Sequence, residues 1–349
     1  MGDALELSEK ITRLVEKQSL KPEFPGAALS VYRQSDQFSH DVATGNLAGE
    51  KQFFIASTTK LYITVILLKM VAGGQISLDD KITKHLPQDD ISGLHVYRGK
   101  EYSNDLRIIH LMAHTSGLPD YFQQKQDGKS LLQRLQSGKD ESWNYQDTLQ
   151  WTKALPAKLA PATRRKAFYS DSNYQLLGRI IELKFNADIA QVFQQQIFEP
   201  LGLGKTYLYR DSSDQTPQTP NFQKAPLDIR KAMVGFGPDG GIVSTAPEQM
   251  VFLRAFFEGR FFDQKILPQL YDWRKINFPL QYGTGIMLFA LPKVFSVIKR
   301  QPALIGHSGL SGNFAFLAPD EGVYMTGTVN QIAKSGASFQ LMLRVLDAL

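Results

Sequence analysis

The sequence predicts a mixed α/β fold of the α+β type, in which an antiparallel sheet flanked by terminal helices carries an inserted all-helical lobe. Strand-like patterns lie at both ends of the chain, near residues 27–32 and 38–43 and again through the C-terminal third. Between about residues 76 and 209 the patterns are mostly helical. Because this helical block separates the strands, both ends of the chain must contribute to one sheet.

The N-terminal elements follow from local patterns. An amphipathic helix is expected at residues 5–17, with apolar residues at helical spacing, and the two strands come next. A second helix begins at Ser57 and contains the most apolar run of the chain, residues 61–72. Lys69 interrupts that run, which is too short to span a bilayer, so we expect a buried helix and no membrane span.

The central and C-terminal elements are separated by turns that proline and glycine mark. Central helices are expected near residues 106–113, 146–154, 174–183 and 189–198. A proline-rich surface loop is expected at residues 211–226, and a further helix at residues 247–258. Strand pairs follow in the C-terminal third, among them residues 303–317, and a closing helix is expected at residues 337–349.

The length of the chain allows one large domain or two interleaved domains, since it has 349 residues of which 43% are hydrophobic. We assign residues 1–75 and 235–349 to the sheet lobe and residues 76–234 to a mainly helical lobe. The two lobes would form one unit with a cleft between them.

Ser57 and Lys60 form the pattern Ser-x-x-Lys at the start of the apolar helix. Residues three apart lie on one face of a helix. A serine hydroxyl is protonated at neutral pH and needs a base in contact, and a partly desolvated lysine one turn later can be that base. Alone the pattern is weak, because a serine or threonine also caps ordinary core helices.

Three further motifs accompany this pair. Tyr169 and Asp171 come just before a helix with apolar residues on one face. Gly306-His307-Ser308-Gly309 lies in a predicted edge-type strand, residues 303–309, which a turn connects to a second strand. The motif HTSGLP at residues 114–119 follows an apolar stretch.

Together these motifs resemble the class C β-lactamase and penicillin-binding protein superfamily, which also contains D,D-carboxypeptidases, D-aminopeptidases and carboxylesterases. The resemblance runs from about residue 25 to about residue 345 and includes shorter matches, at residues 73–80, 198–203, 240–245 and 282–285. It implies a β-lactamase/D,D-peptidase fold with the catalytic cleft between the lobes. It implies no metal and no cofactor.

The resemblance also implies catalytic roles. Ser57 would attack a carbonyl carbon, Lys60 would lie against it, and Tyr169 would pass a proton from Ser57 to the leaving group. The backbone N–H groups of Ser57 and Leu310 would hold the oxyanion.

The same resemblance gives the strand motif a role in substrate binding. His307 and Ser308 would face the carboxylate or leaving group of the substrate, and Gly309 would let the substrate backbone approach. Ser308 could instead be an ordinary strand residue and Gly309 a close-approach glycine, which would still let the substrate backbone approach.

Two residues depart from the pattern of many β-lactamases of the superfamily, which have asparagine at the position of Asp171 and lysine at that of His307. An ionised Asp171 accepts hydrogen bonds only, so it cannot donate to the acylamino carbonyl of a penicillin. A nearby Asp171 would also hold Lys60 as an ammonium, which shifts the base role to Tyr169 and lowers the tyrosine pKa. His307 is mostly neutral at pH 7, so a fixed cation for a carboxylate is lost. Peptidase or esterase activity is therefore favoured over β-lactamase activity.

Composition limits the remaining classes. The formal net charge is +5, but Lys and Arg are scattered among Asp and Glu, which argues against a nucleic-acid groove. The longest basic cluster, Arg164–Lys166, is predicted to be a solvated turn. The absence of cysteine excludes disulfides, thiol catalysis and thiolate metal sites. Residues 1–4 lack a signal-peptide pattern, so we expect a periplasmic or secreted protein if a leader has been removed, and otherwise a cytoplasmic one.

Three other patterns carry no function in our interpretation. Gly235–Gly240 fits G-x-G-x-x-G, but no helix opens at Gly240, so dinucleotide binding is rejected. His110 and His114 have the spacing of metal ligands, yet no third ligand is evident and we expect structural roles. There is no G-x-S-x-G nucleophile elbow, and Ser116 is interpreted as a turn or cap residue.

We therefore expect a serine hydrolase that cleaves an amide or an ester through an acyl-enzyme on Ser57. A penicillin-binding, D-amino-acid peptidase of the D,D-carboxypeptidase type is favoured, ahead of a carboxylesterase and then a β-lactamase. The substrate would be a β-lactam, a D-Ala-containing peptide or an ester. The hypothesis from another class is a non-catalytic module that binds a cell-wall fragment, and the intact set of Ser57, Lys60 and Tyr169 speaks against it.

Overall fold

One antiparallel sheet joins the two ends of the chain. The computed structural model describes residues 2–126, 128–162, 166–291 and 302–349. In that part of the chain the strands are β1 Gly26–Arg33, β2 Phe38–Gly45, β3 Phe53–Phe54, β4 Val96–Tyr97, β5 Lys100–Glu101, β6 Tyr207–Leu208, β7 Asn221–Phe222, β8 Ala225–Pro226, β9 Ile242–Ser244, β10 Arg274–Lys275, β11 Leu280–Tyr282, β12 Met287–Phe289, β13 Leu304–Ser308, β14 Asn313–Ala318 and β15 Val323–Thr328. The main sheet has the order β10-β11-β12-β13-β14-β15-β1-β2, and each neighbouring pair is antiparallel. The predicted sheet is therefore confirmed.

Helices cover both faces of this sheet. The helices of the described residues are α1 Gly2–Ser19, α2 Thr59–Ala72, α3 Gln88–Ile91, α4 Ile108–Met112, α5 Leu131–Gln136, α6 Tyr145–Ala154, α7 Ser172–Phe185, α8 Ile189–Phe193, α9 Glu199–Leu201, α10 Arg230–Phe236, α11 Ala246–Phe257 and α12 Ala337–Ala348. The terminal helices α1 and α12 pack together through Ile11, Val15 and Met342. Successive strand residues point to opposite faces, so Leu29 packs with these helices while Ala28 packs in the cluster that contains α2 and α11.

The helix bounds are close to those predicted, with two differences. The helix expected at residues 106–113 is the short α4, and the one expected at residues 189–198 is α8 followed by a π-helical turn, Gln194–Phe198. α2 is the expected buried helix, since almost all of its residues are buried. In the described parts of the chain no helix is both long and apolar enough to cross a bilayer.

The prediction of an all-helical inserted lobe is wrong in detail. Within residues 76–234, β4 pairs with β5, β7 pairs with β8, and β6 joins a second small sheet with β3 and β9. The β7–β8 pair lies in the segment predicted as an irregular surface loop. Strands of two residues are too short to show an alternating pattern, so no sequence signal marks them. The lobe boundaries at residues 75 and 235 stay predictions.

The prediction of an edge-type strand at residues 303–309 is also wrong. β13 pairs with β12 on one side and with β14 on the other, and most of it is buried. The pairing with β12 could not be foreseen, because β12 has three residues and no distinctive pattern.

In the predicted basic turn Arg164–Lys166, the two arginines lie outside the described residues.

Candidate active site

Ser57 lies in the short 3-10 turn Ala56–Thr58, which connects β3 to α2. β3 pairs with β9, and the Ile55 N–H donates to the Ile242 carbonyl at 3.0 Å, which fixes the start of the turn. Ala56 has φ 48°, in the left-handed region that residues with a Cβ rarely adopt. The turn leaves Ser57 half-buried at the floor of a cleft.

Lys60 lies one helical turn after Ser57 and is fully buried. Its Nζ is 3.2 Å from Ser57 Oγ, 2.7 Å from Asp171 Oδ1 and 2.6 Å from the carbonyl oxygen of Asp239. Burial lowers the pKa of Lys60, but the charges around it, Asp171 first, outweigh burial and raise the pKa above its usual value. Lys60 is therefore an ammonium at neutral pH, and the expectation that Asp171 holds it protonated is confirmed.

Tyr169 completes the group around Ser57. Its hydroxyl hydrogen-bonds with both Ser57 and Lys60, and its ring lies 5.2 Å from Lys60 Nζ. Burial raises the pKa of Tyr169, the Lys60 ammonium lowers it, and the Asp171 carboxylate raises it again, so the pKa stays above its usual value. The Lys60 ammonium therefore lowers the Tyr169 pKa as expected, but burial and Asp171 together outweigh it.

The His114 side chain packs against Tyr169 and against the loop that carries it. Its ring stacks on the Tyr169 ring with 4.2 Å between centroids. Its Nδ1 accepts from the Ser170 N–H at 3.1 Å and lies 3.0 Å from Asn173 Nδ2. The Ser116 hydroxyl donates to Asn173 Oδ1 at 2.6 Å. The HTSGLP motif therefore holds the loop that carries Tyr169 in place, and His114 and Ser116 have the structural roles expected of them.

Asp171 occupies the N-cap position of α7 without capping it. Its side chain makes no hydrogen bond to the first turn of that helix and pairs with Lys60 instead. Asp171 is 5% exposed, so the ion pair is shielded from solvent. The carboxylate therefore contributes to the charge state of the site rather than to the start of the helix.

Two more carboxyl groups lie close to this ion pair, and no sequence pattern revealed either. Asp239 Oδ2 accepts from the Tyr121 hydroxyl at 2.8 Å and from Gln175 Nε2 at 3.0 Å. Burial and the Asp171 charge raise the pKa of Asp239 well above its usual value. Burial also raises the pKa of Asp120, to about 8, and Asp171 acts in the same direction. The raised pKa favours the neutral form of both carboxyl groups, whereas Asp171 is the carboxylate that pairs directly with Lys60.

The geometry fits an oxyanion hole at Ser57 and Leu310. Gly309 brings the β13–β14 turn against the Ser57 turn, since a Cβ there would lie 2.5 Å from the Ile55 carbonyl oxygen. The Gly309 N–H donates to Asn313 O at 2.9 Å. Within the described part of the chain, the backbone N–H groups of Ser57 and Leu310 donate to no other group. Both residues line the cleft, so both donors are available to a substrate oxygen.

His307 does not face the substrate, and the prediction of a substrate-facing cation is wrong. Its side chain is fully buried, its Nε2 lies 3.0 Å from the Tyr282 hydroxyl, and its Nδ1 lies 2.8 Å from the Ser308 carbonyl oxygen. A carbonyl oxygen only accepts, so Nδ1 carries the proton and Nε2 accepts from Tyr282. Burial and then the Lys60 charge lower the pKa of His307 to about 3. Neighbouring strand residues point to opposite faces, so His307 and Ser308 could not both face the cleft.

Ser308 is the member of this pair that lines the cleft. The cleft has a volume of about 680 Å³ and is bounded by Ser57, Tyr169, Ser308, Gly309 and Leu310 as well as by more distant residues. A second, mostly apolar pocket of about 60 Å³ also borders Ser57 and Leu310. The nucleophile candidate therefore stands where the two spaces meet.

Sequence reasoning missed the residues that lock the two turns of the site together. The Thr58 hydroxyl donates to Asn313 Oδ1 at 2.6 Å, and the Ser311 hydroxyl donates to the Phe54 carbonyl at 3.0 Å. Asn313 Nδ2 donates to Gln249 Oε1 and to the Gly327 carbonyl, at 3.0 and 2.9 Å. Ser311 and Asn313 come two and four residues after the GHSG motif, and this closeness in sequence was the one signal that could have indicated them.

The patterns rejected as functional motifs have structural roles. Gly237–Asp239 forms a 3-10 turn and Ile242–Ser244 is β9, so no helix opens after the glycines. His110 Nδ1 accepts from the Arg107 N–H at 3.2 Å as part of the start of α4. Among the described residues no group of three or more histidine, aspartate or glutamate side chains could hold a metal ion.

Comparison with known proteins identifies the family. The model of the Beta-lactamase family matches residues 10–342, and the chain belongs to this family. The chain is 26% identical over 212 residues to the D-alanyl-D-alanine-carboxypeptidase/endopeptidase AmpH of Escherichia coli (strain K12). That match covers 60% of this chain and 50% of AmpH, so the chain spans about half the length of this curated relative.

Solved structures agree on the fold. A D-amino acid amidase from Ochrobactrum anthropi SV3, complexed with L-phenylalanine amide, superposes with a TM-score of 0.79 at 21% identity, covering 98% of each chain. EstCE1, a hydrolase with promiscuous acyltransferase activity, superposes with a TM-score of 0.78 at 18% identity, covering 100% of this chain and 99% of EstCE1. At such identities the likeness shows the fold alone, and it confirms the predicted β-lactamase/D,D-peptidase architecture.

Proposed function

We propose that this protein is a serine hydrolase that cleaves an amide or ester bond through an acyl-enzyme on Ser57. The observation that carries the proposal is that Ser57 Oγ lies 3.2 Å from Lys60 Nζ and also hydrogen-bonds with the Tyr169 hydroxyl. A nucleophile in contact with a candidate base and beside two unpartnered N–H groups is the arrangement that acyl transfer requires.

Acylation begins from the form in which Tyr169 has lost its proton and the Lys60 ammonium stabilises the phenolate. Ser57 Oγ attacks the carbonyl carbon and gives its proton to Tyr169, while the carbonyl electron pair moves to the oxygen. The N–H groups of Ser57 and Leu310 donate to that oxyanion. Collapse of the intermediate restores the carbonyl, breaks the bond to the leaving nitrogen or oxygen, and returns the proton from Tyr169 to the leaving group.

Deacylation repeats these steps with water. The water molecule gives a proton to Tyr169 and attacks the acyl carbon. The second tetrahedral intermediate then expels Ser57 Oγ, which takes the proton back from Tyr169. The enzyme returns to its starting state and the acyl group leaves as a carboxylic acid.

The acyl donor we favour is a peptide or amide of a D-amino acid. The support comes from the family and from the names of its relatives, a D-alanyl-D-alanine-carboxypeptidase/endopeptidase and a D-amino acid amidase. Asp171 disfavours acylamino β-lactams, since it accepts from Lys60 and has no donor to offer to an acylamino carbonyl. We therefore rank β-lactamase activity last.

Carboxylesterase activity is the second candidate, and the burial of His307 favours it. A D,D-carboxypeptidase must bind a terminal carboxylate, and the residue expected to supply a cation for it is neutral and turned away from the cleft. An uncharged ester needs no such cation. Relative to peptidase activity, esterase activity is therefore better supported than the motifs alone suggest.

A substrate panel on one sample tests these candidates. We would measure Ser57-dependent turnover of p-nitrophenyl esters, nitrocefin, D-Ala-D-Ala peptides and D- and L-phenylalanine amide, with Ser57→Ala as the background. Turnover of the D-peptide or D-amide in preference to the L-amide supports the first candidate, and turnover of esters alone supports the second. Absence of Ser57-dependent turnover of every substrate would overturn the hydrolase proposal.

A further inference from the structure

The apolar pocket beside Ser57 is formed by segments distant in sequence. Phe54 and Ile229 line it together with Leu132 and Leu135 of α5 and with Met233 of α10. The space inside it that a water-sized sphere can occupy is about 60 Å³, whereas one water molecule needs roughly 10 to 15 Å³, so the pocket has room for roughly four to six non-hydrogen atoms. A pocket of this composition gains free energy by taking apolar surface out of water.

The polar groups at its border are already engaged. The Ser311 hydroxyl donates to the Phe54 carbonyl at 3.0 Å, and Asp171 is paired with Lys60 at 2.7 Å. Asp239 Oδ2 accepts two hydrogen bonds, and burial raises the pKa of this carboxyl, which favours its neutral form. No unpaired charge in the described residues lines the pocket, so a charged group placed there would lose its hydration without a partner.

Tyr169 decides which part of a substrate enters the pocket. In the proposed reaction Tyr169 returns a proton to the leaving group, so the leaving group must lie on the side of Tyr169. Tyr169 lines the open cleft and does not line the apolar pocket. Ser57 and Leu310 line both spaces, so the scissile carbonyl sits between them and the acyl side chain points into the pocket.

We propose that the apolar pocket is the acyl-binding site and that the preferred acyl donors carry a compact, uncharged apolar group, such as a phenyl ring or a short alkyl chain, on the acyl side of the scissile bond. This inference rests on the proposed hydrolase function. It assigns the acyl side chain to a particular pocket and limits its size, and it holds for an amide and for an ester alike.

The test uses two series of esters. In the first series the acyl chain of p-nitrophenyl esters is lengthened from acetate to decanoate. We expect kcat/KM to rise roughly fourfold per added methylene until the pocket is full, as follows from about 0.8 kcal/mol per buried methylene. In the second series the acyl group is kept constant and the alcohol is lengthened from methyl to octyl, and we expect a much weaker dependence.

Pocket variants make the test specific. Leu132→Trp fills the pocket and should lower kcat/KM for butyrate at least tenfold, while acetate and the alcohol series change less than twofold. Leu135→Ala widens the pocket and should move the optimum to longer acyl chains. Leu131→Ala is the matched control, because Leu131 is also on α5 and also buried but does not line the pocket.

Two results would overturn the inference alone. One is hydrolysis with no dependence on acyl length in the wild type, and the other is a Leu132→Trp variant that changes the alcohol series instead of the acyl series. If no ester or amide is hydrolysed and Ser57 is not acylated, the proposed function fails as well, so the two failures are distinguishable.

Discussion

The ion pair between Lys60 and Asp171 sets the protonation state of the site at the scale of single residues. Their charged atoms are 2.7 Å apart in a buried environment. Asp171 raises the pKa of Lys60, and it raises the pKa of Tyr169 in addition to burial. Lys60 and Tyr169 interact directly, so their titration belongs to the pair. At neutral pH both hold their protons, so the form with an ionised Tyr169, which is the reactive one in the proposed mechanism, is the minor one.

This charge state predicts an alkaline rise in activity that Asp171 controls. We expect kcat/KM for a neutral p-nitrophenyl ester to increase with pH through the alkaline range, because the ionised fraction of Tyr169 increases. In Asp171→Asn the anion that raises both pKa values is gone, so the midpoint of the rise should move to lower pH by about 1 to 3 units. Rates are corrected with Ser57→Ala, and Asp41→Asn, at an exposed position on β2, serves as the control. An unchanged midpoint in Asp171→Asn would show that Asp171 does not control the base.

Asp120 gives a second prediction at this scale, for stability. Burial raises its folded-state pKa to about 8, above the ordinary value near 3.8. Between pH 3.8 and about 8 the folded protein keeps a proton that the unfolded chain releases, so the wild type loses stability as pH rises through that window. Asp120→Asn cannot ionise. Its free energy of unfolding should therefore increase relative to that of the wild type by roughly 1.4 kcal/mol per pH unit in that window. Urea unfolding at pH 4.5, 6 and 8 measures the difference, and a constant difference would contradict the raised pKa.

At the scale of elements, the turn between β13 and β14 is fixed to the start of α2. Asn313 links these segments, since it accepts from Thr58 and donates to Gln249 and to the Gly327 carbonyl. The same turn carries the Leu310 N–H, which we propose completes the oxyanion hole. The position of that donor therefore depends on a side chain that never touches the substrate.

Replacement of Asn313 should show whether this residue positions the Leu310 N–H or only stabilises the fold. In Asn313→Ala we expect a stability loss of about 1 to 3 kcal/mol from the unsatisfied groups left behind. We also expect kcat to fall by roughly 10- to 100-fold with a small change in KM, because a displaced oxyanion donor weakens the transition state more than the ground state. Asn144→Ala is the control, since Asn144 caps α6 away from the cleft and should lose stability with kcat retained. Equal effects on kcat in the two variants would mean that the turn does not position Leu310.

At the scale of the whole molecule, the fold brings together residues from across the chain. Ser57 and Lys60 follow the N-terminal strands, Tyr169 and Asp171 come from the helical block, and Leu310 follows β13. The sheet built from both chain ends is what places the last of these beside the first. The cleft and the apolar pocket that meet at Ser57 therefore exist only when the chain has folded and brought these segments together.

The sequence was sufficient for the parts of this arrangement that have a local pattern. Long apolar periodicities predicted the sheet and the main helices, and the family resemblance carried by the Ser57 and Tyr169 motifs implied which residues would meet. His307 was misplaced because neighbouring strand residues point to opposite faces, so only one of His307 and Ser308 could face the cleft. Asp239, Asn313 and the apolar pocket could not be predicted, since they arise from contacts between segments that carry no shared pattern in sequence.

The acyl-enzyme on Ser57 is the central claim, and trapping it is the most direct test. The protein would be mixed with p-nitrophenyl butyrate, quenched in acid within the first turnover and measured by intact mass, and the adduct would be mapped by peptide digestion. We expect a single butyryl group on the peptide that contains Ser57 and no adduct in Ser57→Ala. An adduct on the peptide containing Ser116 or Ser308, or an unchanged adduct yield in Ser57→Ala, would contradict the claim.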